Sequence, residues 1–231
     1  MLNYAALCFE ESEGLFCITS GALSKVWDFK ANKLPTQNKI DDALKNVGFE
    51  KIKWDGESIY LPANMQIDLG GVVKEYAADC AVNTLRDNGI EHGLVDLAGD
   101  MAVVGCKPNG DPWQVGIRDP AEPHKAFVTL PLTHGGIATS GYYERFMMVN
   151  GKRYCHILNP KNGWPVQHCA TDSVVSERCI VSGSLATIAM LKQESAVAWL
   201  RQMGADFFLQ DCHGKQFSHD KTHNKRRSLK T

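Results

Sequence analysis

Residues 134–166, HGGIATSGYYERFMMVNGKRYCHILNPKNGWPV, gather groups suited to holding a ligand. His156 can act as a general base or a ligand contact. It abuts Asn159-Pro160-Lys161-Asn162-Gly163-Trp164-Pro165, whose prolines and glycine impose an unusual backbone path. A histidine in a strand is as often a satisfied structural residue. Upstream, Gly135-Gly136 and Ser140-Gly141 bracket Ala138-Thr139, small residues that let a ligand approach the backbone. A second stretch, Asp68-Leu69-Gly70-Gly71-Val72-Val73-Lys74-Glu75, puts a carboxylate and two glycines where a helix begins. Helix N-termini present N–H groups and positive potential, which suits phosphate, and Lys74 can add a charge-assisted contact. Alternatively Asp68 caps the helix and Lys74 is solvated. The glycine spacing fits neither a Walker loop nor a Rossmann fingerprint.

A third stretch, Ser182-Gly183-Ser184-Leu185-Ala186-Thr187, reads as another helix start. A hydroxyl at 187 can ligate a hard cation. Gly183 shares its helical face but offers only backbone. In the alternative, Thr187 bonds back to its own helix. Asp96 and Asp100 flank Ala98-Gly99 as possible paired carboxylates, although a turn explains Asp100 equally well.

These residues need elements to carry them. Asn150-Gly151 between strand-like runs, Arg145–Val149 and Lys152–Leu158, is a strong hairpin signal. Helices are expected over 4–12, over 40–47 ahead of Gly48, and for about 18 residues after Gly71. The last places Val72, Tyr76, Cys80 and Leu85 roughly on one face. Further helices are expected over 183–192 and 196–203. Strands are expected at 51–53 and 58–61 around Asp55-Gly56, and at 94–97, 101–104, 113–118, 126–132, 173–176 and 207–210. No internal repeat or low-complexity linker interrupts this order, which reads as one α+β domain.

The totals narrow the function classes. In 231 residues, 44% hydrophobic and 22% charged, a sizeable core is available. A net charge of −1 argues against nucleic-acid binding. No apolar run reaches the roughly 20 residues that span a bilayer, and Met1–Glu10 lacks a signal-peptide pattern. Eight scattered cysteines without a Cys-x-x-Cys pair disfavour a zinc cluster and suit a reducing compartment, although the even count also permits disulfides.

In chain order, LFCITSGALSKVWDF, IDLGGVVKEYAAD, HGLVDLAGDMAVVG, WQVGIRDP, IATSGYYERF, YCHILNPKNGWPV and CIVSGSLATIAML resemble the ApbE family of FAD:protein FMN transferases, from about Gly14 to Gly214. The resemblance implies an α+β fold of mixed and antiparallel sheets with packed helices. It implies an enzyme that binds FAD and, with Mg²⁺, attaches FMN to a threonine of a target flavoprotein with release of AMP. Leu15, Phe16 and Cys17 stand at flavin-contacting positions, Asp68 and Lys74 at FAD-contacting ones, and Leu158 at another after the histidine. His156 matches the histidine implicated in transfer. Gly71 matches a carbonyl ligand of the metal, and Thr187 a hydroxyl or carbonyl ligand.

Three positions depart from the family. Gly183 stands where a metal-ligating Asp is common, Asn159 replaces the Asp of His-Ile-x-Asp-Pro, and Cys17 replaces an Asp in the first motif. Metal binding is therefore expected to need the FAD pyrophosphate, and Gly183→Asp is expected to strengthen it. Tight binding without FAD would assign the role to another carboxylate, Asp100 or Glu75. Two alternatives stay open: an FAD-binding protein without transfer activity, and a metal-dependent FAD pyrophosphatase. The ApbE-like domain is expected over 1–215, without the family's N-terminal strands, followed by a basic, disordered tail over 216–231. Localisation is expected to be cytoplasmic for the chain as given, or periplasmic and inner-membrane-associated if a signal precedes it.

Overall fold

Glycine sets the limits of several elements. The first helix, α1 (Leu2–Glu11), is followed by Gly14 at φ +82°, a left-handed conformation that costs glycine nothing. A computed structural model describes residues 1–120, 122 and 125–219. After a 3₁₀ segment over Ile18–Lys25 come α2 (Gln37–Leu44), β1 (Lys53–Trp54), β2 (Ile59–Tyr60) and α3 (Val73–Asp87). Next are β3 (Gly93–Leu97), β4 (Asp100–Gly105), β5 (Trp113–Arg118), β6 (Ala126–Leu132) and β7 (Gly136–Gly141). The hairpin β8 (Phe146–Val149) and β9 (Lys152–Cys155) precedes β10 (Cys169–Ser176), α4 (Cys179–Lys192), α5 (Ala196–Gln202), β11 (Asp206–Asp211) and β12 (Gln216–His219). Helices with antiparallel sheets make this the α+β class expected from the sequence.

The chain divides into two compact units, interleaved along the sequence. The first comprises Met1–Gly70, Tyr142–Gln167 and Leu191–Gln193. Its core is aromatic. Trp27 is 2% exposed and packs with Leu23, Ile40, Met147, Tyr154 and Leu158. The indole meets Trp164 edge-on, and its Nε1 donates to the Gly163 carbonyl at 2.8 Å. Gly163 sits at φ +73° against Ile40 and Leu23, where a Cβ would be both strained and crowded.

The second unit comprises Gly71–Gly141, His168–Met190 and Glu194 onward. Its six-stranded antiparallel sheet runs β12-β11-β10-β7-β4-β3. Alternation along β4 feeds two cores. Ala102 and Val104 pack with Ala78 and Val82 of α3, whereas Val103 packs with Val115, Ile117, Leu130 and Leu132 of the β5–β6 hairpin.

Four boundaries or faces differ from the sequence expectation. The buried face of α3 is Glu75, Ala78 and Val82; of the expected row only Val72, the N-cap, is fully buried, and Tyr76 is 46% exposed. Hydrophobicity pointed to the wrong stripe because an acid and an alanine occupy the inner one. Helix α4 begins at Cys179, so Gly183 lies in its second turn rather than at its start. Strand β10 begins at Cys169, hidden in the sequence by Thr171, Asp172 and Ser173, all fully buried. Gln216–His219, assigned to the tail, pair with β11; residues 220–231 of that expected tail, with its Lys221–Lys230 basic cluster, lie outside the described residues. All eight cysteines are free thiols. Among the described residues, no helix is long and apolar enough to cross a membrane.

Candidate functional site

In the first unit the candidate flavin segment is anchored by short-range bonds. Ser12 Oγ accepts the Phe16 N–H at 2.7 Å, and Cys17 Sγ lies 3.1 Å from Thr19 Oγ1. Phe16 and Cys17 are buried and Leu15 half-buried. The Asp68 N–H donates to the Ile18 carbonyl at 2.7 Å, which joins Asp68 to that segment. Asp68 does not cap a helix: its Oδ1 accepts the Gly70 N–H at 2.8 Å, closing an Asx turn well before α3. The side chain is exposed.

The hairpin and its loop bring in His156 and Leu158. The His156 N–H donates to the Arg145 carbonyl at 2.9 Å, and Nδ1 lies 3.2 Å from the same oxygen. A carbonyl only accepts, so that bond puts the proton on Nδ1 and leaves the lone pair of a neutral imidazole at Nε2. Arg145 in turn stacks over Phe29, 5.5 Å from its centroid. Leu158 bridges Pro165 and packs in the same apolar cluster as Cys17. Asn159 organises the turn between them: its N–H donates to the Trp164 carbonyl, its carbonyl accepts the Gly163 N–H, and Oδ1 accepts the Lys161 N–H at 2.8 Å. The Asn at this position therefore serves as a loop clamp.

In the second unit acids dominate. Lys74 Nζ meets Asp100 Oδ2 at 2.6 Å, with Asp100 buried and Lys74 about half-exposed. Lys74 is thus neither simply solvated nor uncommitted. Asp100 Oδ1 also accepts the Thr139 N–H at 3.3 Å. Asp96 does not pair with it; Asp96 Oδ1 accepts the Gly99 N–H at 2.7 Å and forms the β3–β4 turn. The neighbouring acid of Asp100 is Glu75, itself buried. Burial, followed by the Asp100 charge, pushes the Glu75 carboxyl up to about 7. Asp172, fully buried in β10, is raised further by burial alone.

Thr187 Oγ1 lies 3.2 Å from Ser140 Oγ rather than bonding back to its helix; Ser184 does that, donating to the Ile180 carbonyl at 2.8 Å. An aspartate at Gly183 would require the Glu75 side chain to shift. A Cβ there would lie 2.5 Å from Glu75 Cγ and 2.6 Å from Glu75 Oε1. The space that a side chain at 183 would take is filled by Glu75. Gly71, half-buried just ahead of α3, keeps its carbonyl as a possible donor. Among the described residues no cluster of three His, Cys, Asp or Glu is placed to hold a metal. A site for a hard cation would then draw on carbonyl, hydroxyl and phosphate oxygens with one or two carboxylates, the usual pattern for Mg²⁺. The buried acid beside Gly183 fits that pattern.

Sequence reasoning named Glu75 only as a fallback metal carboxylate and gave Ser140 no partner. A signal for Glu75 existed: Glu75, Ala78 and Val82 share one helical face.

A curated relative from Treponema pallidum, named FAD:protein FMN transferase, is 33% identical over 87% of this chain and 62% of its own length. One of the same name from Salmonella typhimurium is 30% identical over 68% of this chain and 48% of its own. The chain thus spans less than two thirds of the length of these relatives. The crystal structure of the ApbE protein from Thermotoga maritima superposes with a TM-score of 0.88 at 27% identity, over 97% of this chain and 75% of that one. The apo form of the Pseudomonas stutzeri flavinyl transferase ApbE gives 0.82 at 25% identity, over 97% and 72%. The ApbE family profile matches residues 1–209, and the chain belongs to the ApbE family.

Proposed function

We propose that the chain transfers FMN from FAD to a threonine hydroxyl of a target flavoprotein, with release of AMP. The observation that carries this reading is the alignment of 87% of the chain with a relative named FAD:protein FMN transferase. In the reaction the threonine oxygen forms a bond to the FMN phosphorus, and the bridging P–O bond to AMP breaks. The threonine proton goes to a base.

His156 is the residue we assign as that base, because its Nδ1 contact with Arg145 leaves the lone pair at Nε2. Leu15, Phe16, Cys17 and Leu158 offer the apolar surface for the flavin, and Asp68 and Lys74 the polar contacts. Lys74 reaches a phosphate only in competition with Asp100, so its hold on FAD is shared with an internal partner. Mg²⁺, when bound, neutralises phosphate charge and improves AMP as a leaving group. The Gly71 carbonyl and the Thr187 hydroxyl are the backbone and side-chain oxygens assigned to it.

Incubation of the protein with FAD and Mg²⁺, with and without a threonine-bearing acceptor flavoprotein, tests the reading. Covalently flavinylated acceptor together with AMP is the expected result. FMN and AMP without acceptor labelling would make the chain an FAD pyrophosphatase, and bound, unreacted FAD would make it a flavin-binding protein.

A further inference from the structure

Among the buried acids of the second unit, Glu75 stands apart. It is 5% exposed, and its Oε2 has no hydrogen-bond partner among the described residues. Lys74 joins Asp100, and its charge offsets only part of what burial and the Asp100 charge cost Glu75. A buried carboxylate compensated only in part is costly and persists where something else pairs with it. Glu75 also leans on α4 at the one residue without a side chain: its Oε1 is 2.6 Å from where a Gly183 Cβ would stand. Gly183 lies one helical turn from Thr187, on the same face. The carboxylate thus lies within the reach of an acidic side chain rooted at 183.

We propose that Glu75 is a ligand of the divalent cation, so that α3 delivers the carboxylate that α4 lacks at Gly183. The glycine and the glutamate form one device, since the long side chain needs the bare helix surface to reach its place. A hard, oxygen-loving cation of the Mg²⁺ class takes carboxylate and hydroxyl oxygens as ligands. The inference rests on the FMN-transfer reading for the phosphate oxygens that complete the coordination.

Mn²⁺ is the probe, titrated by electron paramagnetic resonance with and without FAD, while flavin fluorescence reports FAD binding separately. Glu75→Gln keeps the shape and removes the charge. It should weaken Mn²⁺ binding by at least the roughly 10–100-fold that losing even an outer-shell partner costs, without lowering the melting temperature. Equal Mn²⁺ affinity of wild type and Glu75→Gln in both conditions, including no binding by either, would overturn the proposal. The paired exchange Glu75→Gly with Gly183→Asp should restore binding relative to Glu75→Gly alone. A folded exchange variant that binds no better than Glu75→Gly would also overturn it. Failure of FAD to quench would count against the FMN-transfer reading, while the FAD-free titration still decides the role of Glu75.

Discussion

The loop that carries His156 and the helix pair that carries Glu75 solve the problem of placing polar groups in opposite ways. Around His156 each polar placement is secured by a near neighbour in the chain: Arg145 for the histidine, Trp164, Gly163 and Lys161 for Asn159. Trp27 then locks the loop to an aromatic core through the Gly163 carbonyl. Around Glu75 the contacts come from residues far apart in sequence, Asp100 and Gly183, and they leave charge unsatisfied. The first region is built for rigidity. The second stores an electrostatic cost that a ligand can relieve, which is common at functional sites.

The largest expected effect breaks the rigid region. Trp27→Ala removes a nearly fully buried indole and its hydrogen bond to Gly163. Stability should fall by about 3–5 kcal/mol in urea denaturation; a loss below about 1 kcal/mol would show that the loop does not depend on this core.

Next comes the stored cost in the acid region. The Glu75 carboxyl is raised from 4.5 to about 7, so the folded state favours the protonated form. Its contribution to stability is therefore fully present below about pH 4.5 and is lost as pH rises through about 7. In EDTA, wild type should lose about 2–3 kcal/mol relative to Glu75→Gln between pH 5 and pH 8. Parallel pH profiles for the two proteins would remove the assigned burial cost.

A smaller effect tests the fit of Glu75 against α4. In an ordinary helix Gly→Ala gains about 1 kcal/mol. At Gly183 the new methyl meets Glu75, and overpacking of this kind costs about 1–3 kcal/mol. Gly183→Ala should therefore destabilise wild type yet stabilise Glu75→Ala. A double-mutant cycle without that reversal of sign would separate the two residues.

The smallest effect belongs to the loop. Asn159→Asp keeps the Oδ1 acceptor for the Lys161 N–H, so stability should move by less than about 0.5 kcal/mol in thermal melts. A larger change would mean that the amide nitrogen of Asn159 has a role of its own.

Sequence alone determined what depends on local backbone chemistry. Asn150-Gly151 specifies the turn of the β8–β9 hairpin, with both residues at positive φ, and Gly14 follows the end of α1 at positive φ for the same steric reason. The ordered motifs, from the glycine-led segment at Leu15 to the helix of Thr187, carried the family and with it the α+β class. Tertiary structure alone decided which face of α3 is buried, because the stripe of Glu75, Ala78 and Val82 looks polar until the sheet covers it. It also decided that β10 extends through buried Thr171 and Asp172, and that Lys74 pairs with Asp100. The exchange between Glu75 and Gly183 was out of reach for the same reason. Sequence spacing reports periodicity within one element, whereas a side chain filling the space above another helix's glycine depends on how two distant segments pack.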